Sequence, residues 1–125
     1  MKNNGFGPHL MLDLNECNVD KLNNYKLIFD LLNTIPEKIG MTKITQPYVF
    51  PYSGLVPEDE GITGIVIVAE SHCSIHCFPQ KEYVFIDIFS CKFFDLDNIK
   101  QYLIDVFESK TYKIHFVERG LDFPR

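Results

Sequence analysis

The sequence lacks an excess of positive charge. Its 125 residues include 12 Lys and Arg against 17 Asp and Glu, for a net charge of -5 at pH 7. A nucleic-acid binder that works by releasing counterions needs clustered Lys and Arg, so we expect no nucleic-acid partner. Long apolar runs are lacking too. The longest, such as residues 65–69, fall far short of the roughly 20 residues that span a bilayer, and we expect no membrane partner.

Export and cysteine motifs are also missing. Residues 1–5 carry no apolar stretch of the kind that begins a secretory signal, so we expect a cytoplasmic protein with reduced thiols. No two of the four cysteines are spaced as C-x-x-C. This argues against a thioredoxin-like redox motif and against a zinc knuckle.

What the sequence does have is enough apolar content for one core. Hydrophobic residues make up 46% of the chain, which excludes disorder, and the length fits a single domain over residues 1–125. Apolar periodicity predicts strands at residues 9–14, 43–50, 62–69, 73–78, 83–91 and 111–117. One helix is expected to begin after Asn18 or Asp20 and to stop between Ile35 and Gly40; a second is expected to begin after Asp95. An acidic loop at 53–61 and an irregular tail at 118–125 complete the chain.

These elements predict an α+β fold, a two-layer sandwich of a mostly antiparallel sheet with two helices on one face. In the strand at 62–69, Ile65 and Ile67 alternate with Val66 and Val68, so both of its faces are apolar. A sheet wetted on one side alternates apolar with polar residues, and we therefore expect both faces to be covered. Two helices cover only one face. The simplest cover for the other is the same face of a second copy, in a homodimer.

Residues 70–78 concentrate the chemically active side chains, and a metal site is the first interpretation. On an extended strand, however, His72 and His76 lie about 13 Å apart at roughly 3.3 Å per residue, and Cys73 and Cys77 are equally far apart on the opposite face. Ligands of one metal ion sit about 2.0 to 2.3 Å from it. One strand cannot gather either pair, and we expect no metal.

A Ser-His hydrolase is the second interpretation. The sequence has no G-x-S-x-G elbow, and Ser71 does not sit at a strand-to-helix turn. Taken singly, Ser71 is a plain strand-end serine, His76 a half-buried histidine and Cys91 a small buried hydrophobe. Taken together, the three residues form a pattern that none of these single interpretations explains.

The residues Glu70-Ser71-His72, followed by His76 and by a strand that ends at Cys91, resemble the prokaryotic S-adenosylmethionine decarboxylase family. The resemblance extends through segments near both ends of the chain and in its middle, namely His9-Leu10, Phe50-Pro51-Tyr52, Thr63-Gly64 and Glu118-Arg119-Gly120. It covers nearly the whole chain. The Glu-Ser-His segment with a downstream His and Cys is the specific part, and the flanking matches are weak by themselves.

The resemblance implies a proenzyme that makes its own cofactor. Ser71 Oγ would attack the Glu70 carbonyl, and β-elimination would release chain 1–70. Chain 71–125 would be left with a pyruvoyl group derived from Ser71, and neither a metal nor pyridoxal phosphate would be needed. Decarboxylation of an amino acid requires such an electron sink, which the substrate amine reaches through a Schiff base.

The resemblance also implies roles for three further side chains. His76 matches the histidine that moves a proton during processing, a role that suits a group titrating near neutrality. Thr63 stands where the family has a hydroxyl residue that assists the acyl shift, although serine is expected there. Cys91 matches the acid that protonates Cα after carbon dioxide leaves, which requires a thiol rather than a thiolate.

The substrate is less closely defined. Phe50 and Tyr52 match aromatic residues that stack on adenine, and Glu70 and Asp13 are further candidates for substrate contacts. Three acids at 58–60 beside the pocket favour a cation, and both S-adenosylmethionine and a basic amino acid qualify. The expected activity is S-adenosylmethionine decarboxylation in spermidine synthesis. Arginine or ornithine decarboxylation, or a binding subunit that does not process itself, stays open.

Overall fold

The structure, a computed structural model, describes residues 5–124. Residues 1–4, which supply most of the segment used above to judge a secretory signal, lie outside the described part. The elements in chain order are β1 (Gly7–Asn15), α1 (Val19–Leu22), α2 (Tyr25–Lys38), β2 (Tyr48–Tyr52), β3 (Gly61–Val68), β4 (Ser71–Phe78), β5 (Tyr83–Phe89), α3 (Leu96–Phe107) and β6 (Thr111–Arg119). Two short 3-10 turns lie at Pro57–Asp59 and Pro79–Lys81.

The strands form one sheet in the order β2-β3-β4-β5-β1-β6, and every neighbouring pair is antiparallel. Side chains alternate between the two faces of a strand. On one face they are buried throughout the middle of the sheet: Leu10, Leu12 and Leu14 on β1, Cys73 and Ile75 on β4, and Val84, Ile86 and Ile88 on β5. This face is the core side of the sheet.

The two long helices cover that core face. Asn24 caps α2 by accepting a hydrogen bond from the Leu27 N–H, and Asp95 caps α3 by accepting one from the Asn98 N–H. Their apolar stripes bury four residues of each helix in the same cluster as the sheet, among them Leu32 and Leu103. The predicted α+β sandwich, with its helices on one face of an antiparallel sheet, is confirmed.

Strand β2 lies further along the chain than predicted. The pattern at 43–50 predicted a strand that Pro51 ends, whereas β2 runs through Pro51 to Tyr52. Proline has no N–H to donate to a ladder and is tolerated on an edge strand, and β2 lies at an edge of the sheet. Lys43 makes instead an isolated bridge to Val68.

The first predicted helix is divided in two. Asn18 caps the short α1, and Asn24 begins α2. Pro36 lies inside the last turn of α2 rather than stopping it, and the helix ends at Lys38, within the predicted region. Strand ends also shift: β4 begins at Ser71, β5 ends at Phe89, and β6 continues to Arg119, which shortens the irregular tail.

The face of the sheet opposite the helices is here called the open face. It carries aromatic and aliphatic side chains, of which Ile67 is 38% exposed and Phe85 42% exposed. It also carries every histidine of the chain: His9, His72, His76 and His115. The apolar residues that made both faces of β3 apolar therefore divide between the core, which takes Val66 and Val68, and this face, which takes Ile65 and Ile67.

Within residues 5–124, none of the helices is both long enough and apolar enough to cross a membrane.

Candidate active site

Thr63 and His76 form a hydroxyl–imidazole pair on the open face. They are directly opposite each other in the β3–β4 ladder, and Thr63 Oγ1 lies 3.2 Å from His76 Nδ1. That distance is a hydrogen bond. Because the register of β3 and β4 places the two Cα atoms side by side, strand pairing alone brings these side chains into contact.

A cavity of about 290 Å³ surrounds this pair, and we call it the His76 cavity. Its lining combines the predicted site residues Phe50, Tyr52, Thr63 and His76 with the neighbouring Asp59, Gly61, Cys77 and Phe78. Phe50 pairs with Thr63 across β2 and β3, so the aromatic side chains at 50 and 52 project from the same face as the imidazole. The structure thus brings four of the predicted residues into one concave site.

The acidic loop contributes less charge to this cavity than its sequence indicates. Lys81 Nζ lies 2.6 Å from Asp59 Oδ1, and Gln80 donates a hydrogen bond of 3.1 Å to Glu60. The hydrogen bond that Lys81 donates to Asp59, together with the negative charge of that carboxylate, raises the pKa of Lys81. Asp59 is therefore already paired, although the loop as a whole is exposed to solvent, as its sequence predicts. The loop also forms a wall that is tied to the turn at Pro79–Lys81.

Ser71 lies in a different part of the sheet, at the first position of β4. It is 7% exposed, and its hydroxyl oxygen is buried without a hydrogen-bond partner in the described part of the chain. A buried polar atom normally has a partner, and an exception calls for a functional explanation. Glu70, on the exposed turn before it, has a backbone φ of 65°, in the left-handed region that disfavours residues other than glycine, asparagine and aspartate.

Cys91 lies at the same end of the sheet as Ser71. Its Sγ donates to the Ala69 carbonyl oxygen at 3.6 Å, so the thiol contacts the turn that connects β3 to β4. The adjacent Ser90 is fully buried. Its hydroxyl donates a hydrogen bond to the Lys92 carbonyl and accepts one from the Lys92 N–H, which fixes the path of the backbone after Cys91. Glu70, Ser71 and Cys91 therefore form a second group, which we call the Ser71 group.

The two groups do not meet within one protomer. Ser71 and His76 are five residues apart on one strand, which is about 16 Å at roughly 3.3 Å per residue. Odd spacing also places their side chains on opposite faces. The structure divides the predicted residues into the Ser71 group and the His76 cavity.

Asp13 belongs to neither group. Its Oδ2 lies 3.0 Å from His115 Nε2 on the neighbouring strand. In register it is opposite Phe85, which in turn is opposite His76. Two strand spacings of about 4.8 Å place it some 10 Å from that imidazole.

The other cysteines on β4 are unsuited to chemistry. Burial raises the pKa of Cys73 to about 12, and burial, followed by the nearby Cys17, raises that of Cys77 to about 12. Both thiols face the core, which makes them inert. Among residues 5–124 there is no group of three or more His, Cys, Asp and Glu side chains able to hold a metal ion.

Sequence reasoning missed a cluster on the open face beside the Ser71 group. The Phe89 ring contacts both His9 and His72, at centroid distances of 5.6 and 5.7 Å, and the Arg119 guanidinium stacks 4.3 Å above it. Burial lowers the pKa of His9, against the opposing pull of Asp87. His9 and His72 stood in the matching motifs, but only strand register could have shown that they meet.

The chain is similar to known proteins over nearly its whole length. The family model described as S-adenosylmethionine decarboxylase matches residues 8–120. An S-adenosylmethionine decarboxylase proenzyme of Clostridium botulinum (strain Loch Maree / Type A3) is 34% identical over 115 residues, which cover 91% of this chain and 94% of that protein. One of Oceanobacillus iheyensis is 32% identical over 116 residues, covering 92% of this chain and 87% of that protein.

A solved structure shares the fold. The crystal structure of the adenosylmethionine decarboxylase from Aquifex aeolicus superposes with a TM-score of 0.76 at 26% identity, over 93% of this chain and 92% of that chain. The fold is thus the α+β sandwich of a solved decarboxylase. The chain belongs to the S-adenosylmethionine decarboxylase family, as its sequence motifs predict.

Proposed function

We propose that this chain is a self-processing S-adenosylmethionine decarboxylase that serves spermidine synthesis in the cytoplasm. It cleaves the bond between Glu70 and Ser71, giving chains 1–70 and 71–125. The observation that carries the proposal is the Ser71 hydroxyl, which is buried, lacks a hydrogen-bond partner and opens a strand directly after an exposed turn. The word proenzyme in the names of its relatives supports the same reading.

The residues at the turn fit the formation of a pyruvoyl group from Ser71. Ser71 directly follows the Glu70 carbonyl in the chain, so attack by its Oγ would close a five-membered ring. No hydrogen bond within the described part of the chain holds the hydroxyl in another direction. Once formed, the pyruvoyl group supplies the electron sink for the loss of carbon dioxide.

Self-processing requires a proton acceptor at Ser71, and His76 of the same protomer is too distant. Proton transfer works over hydrogen-bond distance, directly or through one water. We propose that two copies associate as a homodimer through their open faces. The Thr63–His76 pair of one copy would then serve Ser71 and Cys91 of the other at the end of its sheet, around the 69–70 turn, because the Ser71 side chain projects to the core side and is not reached across the open face itself. The exposed aromatic and aliphatic side chains of the open face supply the apolar area that such an interface needs.

The cavity residues have roles in binding. Phe50 and Tyr52 would present ring faces to adenine, and aromatic faces also attract the positively charged sulfonium. Cys91, held against the turn by the Ala69 carbonyl, would return a proton to Cα after decarboxylation. Glu70 and Asp13 stay candidates for substrate contacts; Asp13 is engaged with His115 in the protomer.

Intact mass of the purified protein tests the proposal. We expect two chains, separated between Glu70 and Ser71, with the second blocked at its amino end. A Ser71→Ala variant should stay whole, while Ser74→Ala, a serine on the same strand, should be cleaved like the wild type. A wild-type chain that stays whole after long incubation would refute self-processing.

Release of carbon dioxide tests the substrate. The cleaved protein is offered S-adenosylmethionine, ornithine and arginine in separate reactions. We expect release from S-adenosylmethionine and much less from either amino acid. The reverse preference would assign the chain to basic amino-acid decarboxylation.

A further inference from the structure

We propose that the left-handed backbone of Glu70 drives self-cleavage, so that Glu70 is a positioning residue whose strain is relieved as the peptide bond is exchanged for an ester. The inference rests on the proposed self-processing and adds a source of its driving force.

The strain is a consequence of the connection between β3 and β4. Val68 and Ser71 are paired across the ladder, so only Ala69 and Glu70 turn the chain. Two-residue connections need positive φ values, which glycine, asparagine and aspartate adopt readily. Glutamate does not, because in this region its Cβ crowds the following carbonyl oxygen. Glu70 nevertheless has φ 65°.

The surroundings hold the turn in this conformation. The Ala69 N–H donates to the Thr42 carbonyl at 2.8 Å, and the Ala69 carbonyl accepts from Cys91 Sγ at 3.6 Å. Ser71 is committed to the β4 ladder and is buried. A disfavoured backbone conformation persists only where its neighbours enforce it, and here both flanks of Glu70 are fixed.

The acyl shift relieves the constraint. Ser71 Oγ adds to the Glu70 carbonyl carbon, the new C–O bond replaces the C–N bond, and the hydroxyl proton ends on the freed Ser71 amine. The path from the Glu70 carbonyl carbon to Ser71 Cα then runs through two atoms, Oγ and Cβ, instead of through the amide nitrogen alone. The longer connection no longer requires Glu70 to be left-handed. An ester is ordinarily less stable than an amide, and this relief favours its formation.

The chain supplies its own control. Glu16, Glu82 and Glu108 share a left-handed backbone, each with φ 54°. Glu82 ends the 3-10 turn at Pro79–Lys81, at the opposite end of β4 from the scissile bond. A glycine at 82 removes the same kind of strain without touching the reacting atoms.

The test compares Glu70→Gly with Glu70→Ala. Both lack the carboxylate, and only glycine accepts positive φ without cost. We expect Glu70→Gly to cleave itself about five- to tenfold more slowly than Glu70→Ala, as followed by intact mass over time. Glu82→Gly should cleave at the wild-type rate. Equal rates for the two Glu70 variants would overturn the inference.

A second measurement uses precursors locked by Ser71→Ala. In that background the melting temperature of Glu70→Gly should be about 3 to 5 °C above that of Glu70→Ala. The melting temperature of Glu82→Gly should exceed that of Glu82→Ala by a similar amount. The absence of a gain at position 70 would show that no strain is stored there and would overturn the inference. Failure of the wild type to cleave would instead refute the proposed function.

Discussion

Ser71 and His76 lie on the same strand, and their side chains project from opposite faces of the sheet. The hydroxyl is buried at the end of the strand, whereas the imidazole is exposed on the open face beside Thr63. A single copy therefore holds the proposed nucleophile and the proposed proton acceptor about 16 Å apart. This separation makes assembly of two copies part of the proposed chemistry.

Complementation between two inactive variants tests this arrangement. Ser71→Ala lacks the nucleophile and His76→Ala lacks the imidazole, so neither should cleave efficiently alone. In a mixed dimer, one site combines an intact Ser71 with an intact His76. We expect the His76→Ala chain to be cleaved at least tenfold faster in the mixture than alone, as measured by the masses of differently tagged chains.

The matched control for that experiment mixes His76→Ala with a chain carrying both substitutions. No intact His76 is then available, and cleavage should stay slow. No rescue in the first mixture would show that each copy works with its own residues. Rescue of the His76→Ala chain in this control would show that mixing, and not an intact His76 in the partner, accelerates cleavage.

Acid should destabilise the precursor through His9. Burial lowers the pKa of His9 below its ordinary value of 6.5, so in mildly acidic solution the unfolded chain binds a proton that the folded chain does not. Stability contributed by neutral His9 is complete above pH 6.5 and declines as the pH falls below it. In the Ser71→Ala precursor, we expect the free energy of unfolding, measured with urea, to be lower at pH 5.5 than at pH 7.5.

His9→Gln should reduce that dependence, because glutamine does not titrate. His115→Gln is the comparison, since the His115 imidazole is half exposed and lies beside the Asp13 carboxylate. A pH dependence that His9→Gln leaves unchanged would assign the acid sensitivity to other groups.

The ion pair between Asp59 and Lys81 should affect binding and leave processing alone. It joins the 57–59 turn to the 79–81 turn at the wall of the His76 cavity. Lys81→Ala frees this wall, and we expect KM for S-adenosylmethionine to rise by up to about fivefold with unchanged kcat and unchanged cleavage. Lys26→Ala, which breaks an ion pair with Asp30 on α2, should change none of the three. A fall in kcat or a slower cleavage would give Lys81 a different role.

Gly7 should be intolerant of any side chain. A Cβ at this position would lie 1.8 Å from the Ser90 carbonyl oxygen and 3.0 Å from Cys91 Cα, so the backbone that carries the thiol must move. We expect Gly7→Ala to cost about 3 kcal/mol in unfolding free energy and to lower decarboxylation more than it lowers self-cleavage. Gly64→Ala meets side-chain atoms and no backbone, namely Leu32 Cδ1 at 2.7 Å, Val49 Cγ2 at 3.2 Å and Ile28 Cγ2 at 3.4 Å, and should cost about 1 kcal/mol. Equal costs for the two variants would contradict this reading of the contacts.

Most of the fold could be predicted because apolar periodicity reports burial directly. The six strands, the two long helices and the face that they cover follow from it. The position of β2 could not, because Pro51 ends a central strand but not an edge strand, and edge position depends on the whole sheet order. The break between α1 and α2 was similarly ambiguous, since both Asn18 and Asn24 are good caps.

The sequence predicted which residues belong to the candidate site, but it could not predict which of them lie in contact. Motif resemblance identified Ser71, His76, Thr63 and Cys91, and the spacing of Ser71 and His76 already implied opposite faces. Which residues meet depends on register between strands distant in sequence, as with Thr63 opposite His76 or His9 beside His72. The pairing of Asp59 with Lys81 depends on two turns that no periodic pattern describes.

The strand order determines whether folding can follow the proposed cleavage or must precede it. The first fragment of the proposed cut carries β1, β2 and β3, and the second carries β4, β5 and β6; yet β1 lies between β5 and β6. Strand β1 of the first fragment thus pairs on both sides with strands of the second fragment, and neither fragment has a complete sheet alone. The polypeptide must acquire its shape while it is still continuous. Once denatured, the cut pieces would have to find one another in a concentration-dependent reaction, so under the proposed processing folding would come first and scission second.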